Sequence, residues 1–162
     1  MTASIAGKAE TAPRSDSANR KLGIAWILLA LALAAHVTDE ALTGFLPVYN
    51  ATIIGLRQRM AWFPAPTFTF GVWLWGLIAV VVLLLCASPL FFRGVRWIRI
   101  PACLFAALMI VNAFGHTAGT IFGRTFVASV TFPRPMPGFY SSPLLLLTSV
   151  YFLLQIRRTA EH

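Results

Sequence analysis

Five carboxylates occur in the 162 residues of this chain, and two of them, Asp39 and Glu40, stand side by side in an apolar stretch one turn after His36. An ionisable side chain inside a membrane-spanning helix costs roughly 2.5 to 3.5 kcal/mol on insertion scales, so a cluster of three marks a functional site. Helical geometry puts His36 and Glu40 on one face at i and i+4, with Asp39 beside them at i+3. A later apolar stretch carries a matching set, Asn112, His116, Thr120 and Arg124, which recur at intervals of four. Two imidazoles and two carboxylates suit a divalent metal such as zinc, iron or manganese, and a bound cation offsets negative charge held in lipid. The expected ligands are therefore His36, Asp39, Glu40 and His116, with Asn112, Thr120 and Arg124 as supporting polar groups. With one coordination position open to water, Glu40 or Asp39 would serve as general base in a hydrolytic reaction.

The elements that must position these groups follow from composition. Hydrophobic residues make up 58% of the chain and charged residues 11%, against about 25% charged in an ordinary soluble domain. This is the balance of an integral membrane protein, whose partner is the lipid bilayer. The formal charge of +8 comes from 13 Lys and Arg scattered at the ends of apolar segments, which fits topology signals and not a nucleic-acid surface. Four spans are expected, at about 22–45, 66–87, 98–122 and 139–156, forming an all-α, up-down bundle in one domain. Ser142 is expected to cap the last helix, with Pro143 in its first turn. Residues 1–21, rich in Ala, Ser and Thr, read as a disordered tail, and 157–162 as a second, short tail. The apolar run Leu22 to Ala35 also reads as a signal-peptide core with a cleavage site at Ala32-Leu33-Ala34-Ala35, the alternative to a retained first span.

Lys8, Arg14, Arg20, Lys21, Arg93, Arg96, Arg99, Arg157 and Arg158 fall on one side of such a bundle, and Arg57, Arg59, Arg124 and Arg134 on the other. The larger group marks the cytoplasmic side, so both termini are expected there, in a multi-pass protein of the cell membrane. The two outer connections mix arginine with Trp62, Phe63, Phe126 and Phe132 and are expected to lie along the interface as short amphipathic pieces.

At a rise of about 1.5 Å per residue, His36 lies about 21 Å across the bilayer from Leu22, and Asn112 about 20 Å from Arg99. The two polar sets therefore fall at one level. Gly115, Gly119 and Gly123 form GxxxGxxxG beside the His116 stripe, a pattern that admits close helix approach or homo-oligomer formation. Ala30, Ala34 and Thr38 offer a matching strip, so the first and third spans are expected to pack directly together. Cys86 and Cys103 match no metal or disulfide framework and read as small buried hydrophobes. Three other functions compete with the metal site: a proton or ion pathway through His36, Glu40 and His116, a b-type haem between the two histidines, and a structural bundle whose polar groups only fix register.

The run His36-Val37-Thr38-Asp39-Glu40, then Phe45-Leu46-Pro47, Asn112-Ala113-Phe114-Gly115-His116 and Pro137-Gly138, resembles the HXXEE family of small bacterial integral membrane proteins over about 22–156. The sequence departs from the family motif in carrying Asp39 where the name has its first glutamate. The resemblance implies His36, Asp39, Glu40, Asn112 and His116 as functional positions and no particular reaction.

Overall fold

A computed structural model describes residues 12–125 and 127–160, with side chains for 16–125 and 127–159. The protein is all-helical over this range, with helices α1 (Ala12–Thr43), α2 (Phe45–Arg59), α3 (Phe70–Cys86), α4 (Ser88–Phe92), α5 (Arg99–Phe122) and α6 (Ser142–Ala160). Three stretches are long and apolar enough to cross a membrane: Asp16–Thr43, Phe70–Phe92 and Arg99–Phe122. Helix α6, where the fourth span is expected, is not one of them, because Thr148, Ser149, Gln155 and the Arg157-Arg158 end dilute its hydropathy.

Helix α1 begins at Ala12, so residues 12–21, expected in an irregular tail, are helical instead. The turn after α4 passes tightly over this extension: Gly94 has φ +69°, and a Cβ there would fall 2.6 Å from the Asn19 amide. Residues 1–11, with Glu10, and residue Phe126 lie outside the described residues, as does Glu161.

Helix α6 runs closely against both α1 and α5, while α1 also meets α3 and α4. Helices α1 and α5 themselves meet through long side chains, Trp26 on Phe105 and His36 on His116 and Asn112, and not by the expected close approach of their backbones. The glycine stripe explains why. Gly115 opens onto free space, Gly119 faces Met136 and Phe132, and Gly123 faces the guanidinium of Arg134. The smooth strip on α5 therefore receives the 131–136 segment and not another helix, although small residues permit either.

The end of the bundle that holds the start of α1 is a dry aromatic core. Trp26 stacks on Phe91 at 4.4 Å between ring centroids, with Phe152 at 5.2 Å and Phe105 at 5.9 Å. Its indole N–H donates to the Leu84 carbonyl at 2.7 Å, one of the carbonyls in the last turn of α3 that a helix leaves without an internal partner. Leu22, Leu29, Ala106 and Leu145 complete this layer and are almost wholly buried. Contrary to the expectation of small buried hydrophobes, neither cysteine is buried in it: Cys86 at the end of α3 is exposed and Cys103 is half-buried.

At the opposite end, Gly44 adopts the left-handed conformation (φ 80°, ψ 43°) and turns the chain from α1 directly into α2. This position needs glycine, which alone enters that region at no steric cost. The first outer connection is thus a helix of 15 residues that buries Leu46, Ile53 and Leu56 on one face. Asn50 clamps the following extended segment, donating to the Phe68 carbonyl and accepting from the Phe68 N–H. The second outer connection, 123–141, is irregular, with a single bridge between Arg124 and Thr131. Arg59 on α2 donates to the Val127 carbonyl at 3.0 Å, so α2 and this connection together roof the polar end of the bundle.

Candidate metal centre

Helix α1 delivers His36, Asp39 and Glu40 within the last two turns before its end at Thr43, and α5 delivers Asn112 and His116 before its end at Phe122. The imidazoles meet edge to face with ring centroids 4.8 Å apart. Glu40 Oε1 lies 3.2 Å from His116 Nε2 and 3.5 Å from His36 Nε2. Among the described residues, His36, Glu40 and His116 form one group whose donor atoms all lie within 4.8 Å of one another. All three are buried: His36 is 1% exposed, Glu40 5% and His116 2%. Glu40 is therefore not a wet residue past the end of its helix.

Hydrogen bonding fixes which ring nitrogens face inward. His116 Nδ1 rests on the carbonyl oxygen of Pro137. A carbonyl only accepts, so Nδ1 carries a proton, and Nε2 faces Glu40 as a lone pair in the neutral ring or as a second N–H in the cation. His36 Nδ1 lies 2.8 Å from Ser141 Oγ, and that hydroxyl is 2.8 Å from Asp39 Oδ2. An ionised carboxylate is acceptor-only, so Ser141 gives its one proton to Asp39 and accepts from His36 Nδ1–H. His36 Nε2 presents a lone pair, which Asn112 Nδ2 engages at 2.9 Å. Two ring nitrogens and a carboxylate oxygen consequently converge in a buried site, an arrangement that calls for a proton or a cation among them. The Pro137 carbonyl orients His116 in the usual way for a metal-ligating histidine, and for His36 the Ser141 hydroxyl stands between the ring and the Asp39 carboxylate.

The expected ligand set is thus divided. Asp39 stands outside the converging group and accepts from both the N–H and the hydroxyl of Ser141 at 2.8 Å each. Its carboxylate closes the N-terminus of α6 from a neighbouring helix, where the positive end of the helix dipole favours an anion. Ser142, expected as that cap, is buried and donates back to the Gly138 carbonyl at 2.8 Å. Thr120 supports the site at one remove: it donates to the His116 carbonyl and accepts from the Met136 N–H, which ties the 131–136 segment to α5. Arg124 is exposed at the end of the stripe and takes no part in the group.

Three contributors are not apparent from spacing in the sequence: Ser141, the Pro137 carbonyl and Gly138. Gly138 has φ +84°, and a Cβ there would stand 2.7 Å from His116 Cε1 and 2.9 Å from Glu40 Cγ. Its N–H donates to Thr43 Oγ1 at 3.1 Å, which pins the connection to the end of α1. The only sequence signal for this wedge is the Pro137-Gly138 pair, which ordinarily marks a turn and nothing more.

Beside the group, a groove of about 220 Å³ runs along α5, with Phe45, Gly115, Val127 and Met136 among its walls and Asn112 and His116 at its inner side. Comparison with known protein families, with curated proteins and with solved structures finds no match for this chain.

Proposed function

We propose that the protein is a multi-pass membrane protein that binds one divalent transition metal through His36 Nε2, His116 Nε2 and Glu40, close to one face of the bilayer. The observation that carries this reading is the commitment of both Nδ1 positions to outer acceptors, which turns both Nε2 atoms and a carboxylate oxygen toward one point. Tetrahedral coordination with bonds of about 2.0 to 2.1 Å separates donors by about 3.3 Å, close to the 3.2 and 3.5 Å between Glu40 and the two imidazoles. Two histidines and one glutamate leave a fourth position for water or substrate, the pattern of hydrolytic zinc sites. A bound metal supplies Lewis acidity there. In such a centre Asp39 acts through Ser141 on the orientation of His36, and Asn112, relieved of the His36 lone pair, is free to donate to an oxygen lying in the groove.

In this reading α6 is the fourth span and both termini lie on the cytoplasmic side, since Arg93, Arg96, Arg99, Arg157 and Arg158 share one end of the bundle. The motif positions that carry the resemblance to the HXXEE family are also the ones that line the centre, and we read the chain as a member of it.

A proton pathway uses the same groups, because His116, Glu40, His36, Ser141 and Asp39 follow one another within hydrogen-bonding reach. Below them, Leu29, Ala32, Leu33, Ala106 and Met109 are buried and apolar. The buried hydroxyl at that level, Ser149 of α6, is spent on the Leu145 carbonyl, and among the described residues no imidazole or carboxylate continues the relay through this layer toward the other side, which favours a metal centre over a conduit.

The test is elemental analysis of the detergent-purified protein beside His36→Ala and His116→Ala. About one equivalent of zinc, iron or manganese in the native chain and none in either variant is expected. A full complement of metal in both variants refutes the assignment.

A further inference from the structure

The groove beside the candidate metal centre is apolar where it leaves the site. Gly115, one of its walls, presents bare backbone with nothing within 4 Å of a Cβ position, and Val111 and Phe114 near it on α5 are exposed. On a helix long and apolar enough to span a membrane, that face meets hydrocarbon. A cavity of about 150 Å³ lined by apolar side chains accepts a benzene ring, so 220 Å³ accommodates a segment of alkyl chain several carbons long.

Charge on the segments beside the groove's walls suggests what the chain would be attached to. Arg59 reaches the carbonyl of Val127, a groove wall. The guanidinium of Arg134 lies over Gly123 at the end of α5, where it also lines a second pocket with Thr43 and Pro137, and Arg124 follows Gly123 in the chain. All three arginines are exposed. No carboxylate occurs in the sequence between Glu40 and Glu161, so nothing on these segments neutralises them. Apolar packing alone does not draw an alkyl chain out of a bilayer that is equally apolar. Selectivity must therefore come from the polar parts.

We infer that the groove is the binding site of an anionic membrane lipid, with one acyl chain along Gly115 and Met136, its ester linkage beside Asn112 and His116, and its phosphate against Arg59, Arg124 and Arg134. This assignment rests on the metal-centre reading, since it names the class of molecule presented to that centre. The levels agree: the ester region of a bilayer lies between hydrocarbon and headgroups, and Glu40 lies one turn inside the end of α1.

The experiment uses the full chain in nanodiscs of zwitterionic lipid, with a phosphatidic acid carrying a diazirine in one acyl chain as probe and the corresponding phosphatidylcholine for comparison. Adducts are mapped by peptide mass analysis, and metal is measured on the same samples. Saturable labelling of residues at Gly115, Val127 or Met136 is expected, with at least about fivefold preference for the anionic probe, the effect of one arginine near a membrane surface. Gly115→Leu should remove the saturable labelling and leave the metal content intact. The double variant Arg59→Gln, Arg124→Gln should keep the labelling and lose the preference. Labelling that does not saturate, that ignores headgroup charge, or that survives Gly115→Leu overturns the inference. Saturable, charge-selective labelling of a protein that carries no metal upholds the lipid site and refutes the metal centre instead.

Discussion

The hydroxyl of Ser141 stands between His36 Nδ1 and Asp39 Oδ2, 2.8 Å from each. Through that hydroxyl, a carboxylate outside the converging group sets the tautomer of a histidine within it. Removing an outer partner of this kind lowers metal affinity by about 10- to 100-fold without removing a ligand. Ser141→Ala and Asp39→Asn are expected to behave so in competition with a chelating dye. Asp39→Ala should also cost about 0.5 to 2 kcal/mol, because the N-terminus of α6 loses its acceptor.

Glu40→Gln separates a metal centre from a purely structural network. Where the carboxylate faces two lone pairs, an amide relieves the repulsion and donates to one of them, so the metal-free protein should be at least as stable as the native one, gaining about 1 kcal/mol. Metal binding should be lost. Thermal unfolding in detergent after exhaustive chelation reads the first effect, and elemental analysis the second. A strong loss of stability instead would identify Glu40 as a partner of a charged histidine.

A chelator should lower the unfolding midpoint of the native protein reversibly. Metal at about 100 times its dissociation constant contributes about 2.7 kcal/mol, and that difference should vanish in His36→Ala and His116→Ala. A midpoint indifferent to chelator and metal would contradict the proposed ligands.

Gly115 and Gly119 belong to one sequence motif but should respond with opposite signs. Gly115 faces open space, so Gly115→Ala gains helix propensity, about 0.8 to 1 kcal/mol. Gly119 presses on Met136 and Phe132, and Gly119→Ala should cost about 1 to 3 kcal/mol through overpacking. Destabilisation by both would restore the helix-to-helix role that the motif ordinarily implies. Gly138→Ala should be worse than either, since the left-handed backbone alone costs about 1 to 2 kcal/mol and the new methyl enters the space of His116 and Glu40; metal content should fall with it.

Orientation is tested by fusions. A fluorescent protein after His162 should fold and fluoresce, and alkaline phosphatase inserted in the 60–69 connection should be active, as both termini on the cytoplasmic side require.

The features legible in the chain before folding are periodic and local. Apolar runs fixed the existence of long helices, and intervals of three and four put His36 beside Glu40 and Asn112 beside His116, because helical geometry follows from spacing alone. Counting rise along two helices also placed those pairs at one depth, and their rings do meet. Tertiary structure decided everything that depends on a third partner. Asp39 and Glu40 are adjacent in sequence, yet one helix position, about 100° of rotation, sends Glu40 to the imidazoles and Asp39 to Ser141. The glycine stripe is a surface without side chains, and such a surface does not state what will cover it; here it is Met136 and Phe132 in an irregular connection, where periodicity carries no information. The wedge at Pro137-Gly138 likewise acts through a carbonyl oxygen and the absence of a Cβ, properties of backbone position that residue identity alone does not encode.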